Sequence, residues 1–291
     1  MAETARTTVC LTFDFDAISL WIGPMGATSP SMISRGEFGV VGAERILRLL
    51  AREGIPATFF VTGHTAETYP DAVRAIVAAG HEIGHHGYLH ENPVGLASKE
   101  DERRVLERGL EALDTTVGVR PVGYRSPAWD NSPHTIELLL DYGFRYESSL
   151  MGHDFVPYWC RVGDQIQEDG PYLFGREVDL VEMPVSWILD DFPHFEYLRV
   201  GQRLSPGLSA ASKVEEIWRG EFDFMVRDVP GGVFTLTMHP QVIGRGHRML
   251  MLERLIAHMR AQPGVRFTTL GDAAEAYRAR SSAPAQATAD D

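Results

Sequence analysis

Cysteine is scarce in this chain. Its 291 residues include only Cys10 and Cys160. With no Cys-x-x-Cys pair, thiolate zinc knuckles and dithiol redox motifs are excluded, and no disulfide framework can staple a small domain. Long apolar runs are missing too. No segment reaches the roughly 18 apolar residues that a membrane-spanning helix needs. Positive charge is in deficit, with 27 Lys and Arg against 40 Asp and Glu for a net charge of -13. No basic run offsets it, which argues against nonspecific binding to nucleic acid. No G-x-S-x-G elbow surrounds a serine, and no glycine-rich phosphate loop follows the first apolar segment. The opening M-A-E-T-A-R-T-T leads into an apolar run soon broken by Asp14 and Asp16. That is a poor secretory leader, so a cytoplasmic protein is expected.

What is present is an alternation of strand and helix patterns. Strands are expected at 8–16, 57–61, 82–86, 122–126, 144–148, 178–185, 233–239 and 265–269. Helices are expected at 41–52, 70–79, 98–113, 133–140, 210–227 and 247–260, where apolar residues recur at helical spacing. Gly54 and Pro56 stop the first helix, Pro70 opens the second, and Ser98 caps the third. Residues 19–38 read as a long loop, and 150–160 and 187–197 as aromatic loops. Apolar area in those last two segments is expected to meet another subunit, giving a homo-oligomer, unless the chain packs it internally. No composition break divides residues 1–280, and 281–291 (S-S-A-P-A-Q-A-T-A-D-D) has a disordered composition. The expected fold is α/β, a single closed or nearly closed β/α barrel, with a doubly wound sheet as the competing architecture.

Barrel chemistry gathers at the C-terminal ends of strands. Strand one ends F-D-F-D, and alternation sends Asp14 and Asp16 to one side. Two like charges on one face are best tolerated beside a cation, although they also suit loop capping. Four of the eleven histidines fall within residues 81–90. His86 and His90 are four apart, so one helical turn would bring both to a single metal. With an aspartate, they would leave a coordination position open for water, although histidines sharing a loop are the plain alternative. Arg125 ends another strand, where a carboxylate such as Asp14 would partner it unless it is solvated. His239 ends a late strand and has the range of a general acid, or of a packed histidine. Glu37, Tyr88, Trp129 and Trp187 stand near strand mouths as possible pocket walls.

Together these residues resemble the NodB-homology polysaccharide deacetylases, carbohydrate esterase family 4. Thr12-F-D-F-Asp16 is similar to the family's first motif. His86-G-Y-L-His90 is similar to the second, with Gly87 replacing its hydroxyl residue. Arg125-Ser126-Pro127 resembles the third and Leu236-T-M-His239 the fifth. Glu182-M-P-V-S-Trp187 matches the acidic, tryptophan-ending fourth only loosely. The resemblance spans about residues 8–275 and implies a distorted, incomplete (β/α)7 barrel. It further implies Asp16, His86 and His90 as metal ligands, Asp14 as base oriented by Arg125, and His239 as acid.

Several segments resemble the branch that contains cyclic imide hydrolases, allantoinase-like enzymes and a peptidoglycan-deacetylase-like protein: S-R-G-E-F (34–38), the histidine-rich stretch and V-S-W-I-L-D-D-F-P (185–193). The expectation is a hydrolase of non-peptide C–N bonds acting on a small amide or cyclic imide. A peptidoglycan- or chitin-type N-deacetylase is the alternative, and a noncatalytic carbohydrate-binding barrel the second. Two imidazoles and a carboxylate suit Zn2+, and Co2+, Ni2+ or Fe2+ can use the same ligands.

Overall fold

The computed structural model describes residues 7–200 and 203–284. Its first strand, β1 (Thr8–Phe15), is buried along its whole length. Burial on both faces is what a parallel strand between a barrel interior and a helical layer requires. Val9, Leu11, Phe13 and Phe15 join the main apolar core. The alternate residues Cys10, Thr12 and Asp14 face the other way, into the barrel.

A short helix, α1 (Ser19–Ile22), is followed by α2 (Pro30–Glu53), much longer than the helix expected at 41–52. Residues 19–38 are therefore not a long loop. The first half of α2 escapes an apolar periodicity search because its inward stripe begins with Gly36, Gly39 and Gly42. These glycines permit close approach. A Cβ on Gly36 would lie 2.4 Å from the carbonyl oxygen of Ala17, and one on Gly42 would lie 1.9 Å from that of Pro240. Pro30 begins the helix, and Gly54, at φ 61°, ends it in the left-handed conformation.

The chain continues through β2 (Thr58–Val61), α3 (Gly63–Thr68), α4 (Pro70–Ala78) and β3 (Glu82–His85). Next come α5 (Lys99–Val117), β4 (Gly123–Tyr124), α6 (Thr135–Asp141) and β5 (Tyr146–Glu147). Ser98 caps α5 by accepting the Asp101 N–H at 3.2 Å. Residues 158–182 form an unexpected antiparallel pair, β6 (Tyr158–Val162) with β7 (Arg176–Glu182). Beyond them lie α7 (Asp191–Phe195), the hairpin strands β8 (Leu198–Val200) and β9 (Arg203–Ser205), and α8 (Ala211–Asp228). The chain closes with β10 (Val233–Met238), α9 (Pro240–Ile243), α10 (Gly246–Ala261), β11 (Arg266–Phe267) and α11 (Leu270–Arg280).

The main sheet runs β10-β1-β2-β3-β4-β5-β7, parallel throughout, with β6 antiparallel beyond β7 and β11 paired to β1. Those seven parallel strands curl but do not close. Between β7 and β10 the seam is crossed by Val233 N–H donating to the Phe155 carbonyl at 2.8 Å and by one parallel bridge, Asp190 to Thr237. The fold is thus the distorted, incomplete barrel rather than a doubly wound sheet.

The segments 150–160 and 187–197 turn much of their apolar area inward. Phe155, Trp159, Leu189 and Phe195 are all buried within the chain. Each such side chain contributes roughly 1.5–3 kcal/mol through burial. Both cysteines are buried and unpaired. No helix among the described residues is long and apolar enough to cross a membrane. The tail expected from residue 281 follows the end of α11, and its residues 285–291 lie outside the described residues. So do residues 1–6, which hold most of the opening segment considered as a leader.

Candidate metal and acid–base site

Four parallel strands deliver the site. Asp14 and Asp16 leave the end of β1 on its barrel side, and both are buried. His86 follows directly on β3. His90 returns to it through a turn, not the helical turn expected from the spacing. Gly87 stands at φ 72° and His90 at φ 59°, both left-handed. Gly87 supplies the first of these conformations without steric cost. His86 Nε2 comes to 3.4 Å and His90 Nε2 to 3.8 Å from Asp16 Oδ1. One ligand atom from each of the three lies within 4.8 Å of the others.

The donor chemistry fits a divalent cation. Asp16 Oδ1 is buried and accepts no hydrogen bond. His86 Nδ1 donates to the Arg125 carbonyl at 2.8 Å, which leaves Nε2 facing Asp16; burial opposes the charge of this imidazole, but Asp14 and Asp16 outweigh it and raise its proton affinity, and a metal at Nε2 would take that proton's place. That backbone bond fixes the tautomer a metal ligand needs. Burial works against the Asp16 charge, yet His90, His86 and His239 hold its carboxyl down at about 2. Burial pulls His90 down to about 4, so its imidazole is neutral at pH 7.

Arg125 is fully buried and its guanidinium spans the barrel. Nη1 donates to Asp14 Oδ1 at 2.8 Å and to Thr12 Oγ1 at 2.9 Å. Nη2 donates to Ser148 Oγ at 2.9 Å, Nε donates to the Ser148 carbonyl at 3.0 Å, and the Phe60 ring centre lies 4.2 Å away. Such a cation holds the Asp14 carboxylate in one orientation.

His239 occupies the opposite side. Its Nδ1 donates to Asp191 Oδ1 at 2.7 Å, and its backbone N–H also donates to the Asp191 carboxylate. Burial opposes its charge, but Asp190, Asp191 and Asp16 outweigh it and hold the imidazole well above its ordinary range. Nε2 remains turned toward Asp16 Oδ2 at 3.8 Å. Asp190, pushed up to about 7 by burial against the pull of His239, also lines the cleft. The sequence alone does not single out Asp190 and Asp191. The D-D pair ahead of F-P was visible, and Asp190 does cap α7 by accepting the Phe192 N–H at 2.8 Å. Nothing in one dimension shows that Asp191 reaches across to His239.

The cleft measures about 550 Å³ including its open mouth, and Leu20, Met25, Trp129, Trp187 and Phe192 give it apolar walls. Trp129 and Trp187 stack with ring centres 4.4 Å apart. Two expected wall residues lie elsewhere. Tyr88 turns its hydroxyl to Glu67 at 2.8 Å under the Arg108 guanidinium. Glu37 is an exposed residue of α2, because the segment that looked like a loop is helical. His85 points away from His86 and donates to the Leu106 carbonyl at 3.1 Å.

An open-seamed parallel barrel with a metal-capable set between a fixed carboxylate and a fixed imidazole is organised for hydrolysis. Residues 2–147 match the polysaccharide deacetylase family. A peptidoglycan deacetylase of Helicobacter pylori is 39% identical over 279 residues, covering 92% of this chain and 94% of that protein. A peptidoglycan deacetylase-like protein of Gibberella zeae is 30% identical, covering 96% of this chain and 89% of its own. A solved polysaccharide deacetylase-type structure from Mycobacterium smegmatis superposes with a TM-score of 0.86 at 39% identity, over 100% of this chain and 96% of that one. An allantoinase structure shares the fold, with a TM-score of 0.75 at 23% identity over 96% of this chain and 92% of its own. The chain belongs to the polysaccharide deacetylase family and is a hydrolase of C–N bonds.

Proposed function

We propose that this protein is a metal-dependent N-deacetylase acting on N-acetylated amino sugars of the peptidoglycan type. The supporting observation is the opposed pair across the Asp16–His86–His90 set, with Asp14 secured by Arg125 on one side and His239 by Asp191 on the other. An amide needs both partners, because its nitrogen is a poor leaving group until protonated. The substrate class is supported by the peptidoglycan deacetylase of Helicobacter pylori, similar over nearly the whole chain. That likeness favours the deacetylase over the small amide or imide expected first.

Asp16, His86 and His90 would hold a divalent ion, zinc being the first choice for this donor set, and such an ion would supply polarisation of the acyl carbonyl and a more acidic water. Asp14 accepts the proton of the attacking water while Arg125 keeps its carboxylate from turning away. His239 delivers its Nε2 proton to the departing nitrogen, and Asp191 holds the ring and its charge. Trp129, Trp187 and Phe192 exclude water around the acyl group. The products are acetate and a free amine.

One observation favours a second reading. The apolar walls of the cleft suit a compact cyclic amide as well as an acetyl group. Metal-loaded enzyme assayed on N-acetylglucosamine oligomers, soluble peptidoglycan fragments, succinimide, hydantoin and allantoin separates the two. Acetate release from the amino sugars supports the deacetylase. Ring opening without acetate release would overturn it in favour of the imide reading. Exposed Trp187, Ile188 and Tyr197 also favour a homo-oligomer. A mass of 32.3 kDa by light scattering would remove that proposal.

A further inference from the structure

Gln241 lies just past His239 and Pro240, within the one-turn helix α9, and is 3% exposed. Its Nε2 donates to Asp16 Oδ2 at 3.3 Å. Its own carbonyl oxygen, Oε1, is buried without any partner. A buried amide with one end unsatisfied is unfavourable to retain, so its single contact calls for an explanation. The two oxygens of Asp16 have different surroundings. Oδ1 faces His86 and His90 and accepts nothing, whereas Oδ2 meets Gln241 and stands 3.8 Å from His239 Nε2.

We infer that Gln241 is a positioning residue that ties down Asp16 Oδ2 and so presents Oδ1 to the metal. The inference rests on the metal-site reading above and deepens it. Without the amide donor, Oδ2 keeps only its longer, 3.8 Å approach to His239 Nε2, and the carboxylate is free to turn Oδ1 away from His86 and His90.

The helix that carries Gln241 is held rigidly. Pro240 packs against α2 where Gly42 leaves room, and a Cβ on Gly244 would come within 2.4 Å of the Gly42 Cα. Arg45 donates to the Gly244 carbonyl at 2.9 Å, and Arg248 donates to the Val242 carbonyl at 2.8 Å. Clamped from both sides, α9 gives the amide little freedom to follow Asp16 if the carboxylate moves. This is the arrangement an outer partner needs to orient a ligand.

The test is zinc affinity, measured by competition with a chromophoric chelator on the full chain, for the parent, Gln241→Met, Gln241→Asn and Asp16→Asn. Methionine keeps the length and loses the donor. Asparagine keeps an amide but withdraws it by one methylene, and it decides the matter should the methionine variant fail to fold. Both are expected to bind zinc about 10–100-fold more weakly than the parent. In turnover, kcat is expected to fall with KM little changed. Asp16→Asn is expected to lose the site. Zinc affinities within twofold of the parent in the folded Gln241 variants, with Asp16→Asn still deficient, would overturn the role of Gln241 alone. A parent chain that binds no zinc would overturn the metal-site reading itself.

Discussion

Replacing Arg125 with methionine tests the electrostatic core of the site. Methionine keeps an unbranched stem against Phe60 but removes four donated hydrogen bonds, to Asp14, to Thr12 and twice to Ser148. Arg125 is fully buried and Asp14 is 1% exposed, so neither water nor salt can substitute. Removing one member of a buried, hydrogen-bonded ion pair costs about 3–5 kcal/mol, mostly for the charge left behind. Arg125→Met is therefore expected to lose that amount in denaturant unfolding, with an unchanged m-value and with chelator present to exclude metal effects. At about 2–4 °C per kcal/mol for a chain of this size or somewhat smaller, the midpoint falls by roughly 6–20 °C. Removing both charges should be much milder, because a buried pair adds little over well-packed apolar residues. Asp14→Leu combined with Arg125→Met is thus expected within about 2 kcal/mol of the parent, although inactive. A single variant that loses less than 1 kcal/mol, or a double variant that loses the sum of its parts, would refute the reasoning.

Chelator dialysis should abolish turnover of any accepted substrate, and zinc at a thousandfold over its Kd should stabilise the protein by about 4 kcal/mol. His86→Gln and His90→Gln should lose that zinc-dependent shift, and an equal shift in calorimetry would contradict the ligand assignment. Glu182 sits opposite Glu147 in the β5–β7 register, and burial, then Glu147, push its carboxyl well above the ordinary range. The folded chain keeps this proton when the unfolded chain releases it near pH 4.5, so the contribution to stability is complete below that pH and declines as pH rises. Glu182→Gln should flatten this loss, by up to about 1.4 kcal/mol per pH unit, between unfolding curves at pH 5 and pH 8; parallel losses in both proteins would count against it. Trp187 is 45% exposed and Trp129 only 7%, although the two rings stack. Trp187→Ala should raise KM about tenfold with little loss of stability, whereas Trp129→Ala should cost roughly 3 kcal/mol; equal destabilisation would show the mouth to be one packed unit.

Strand mouths were legible because alternation is a local property. F-D-F-D places two phenylalanines in the apolar layer and two aspartates in the barrel whatever surrounds them, and the structure follows. The helix over 30–40 was not legible, because glycines at 36, 39 and 42 look like loop formers until Ala17 and Pro240 are seen packed against them. α11 went unread although Thr269 caps it, accepting the Asp272 N–H at 3.1 Å. β6 is hard to read because its pairing partner, β7, is supplied from beyond an intervening turn, and its first residues, 158–160, fall in the segment that reads as an aromatic loop. Within the site, residues tied to a strand end could be found by position. Asp191 and Gln241 could not, since each matters only through a contact 48 or 225 residues away.

Backbone strain also separates the site's geometry from what its local sequence favours. Among the described residues, five non-glycine residues have positive φ: Ala17, His90, Ala128, Trp129 and Leu208. Four of them adjoin the site: Ala17 follows Asp16, His90 is a proposed ligand, and Ala128 and Trp129 line the cleft. Each such conformation costs about 1–3 kcal/mol and persists only where surrounding structure imposes it. The imposing contacts are visible. Ala17 is pressed beneath Gly36, and the 126–129 turn is fixed by Ser149 Oγ accepting the Ser126 N–H at 2.7 Å. Local propensity therefore points away from the observed geometry around the candidate site, and the packed helices and strands decide against it. A site held this way exchanges stability for fixed side-chain directions, so these groups need not reorganise when a substrate, or the proposed metal, binds.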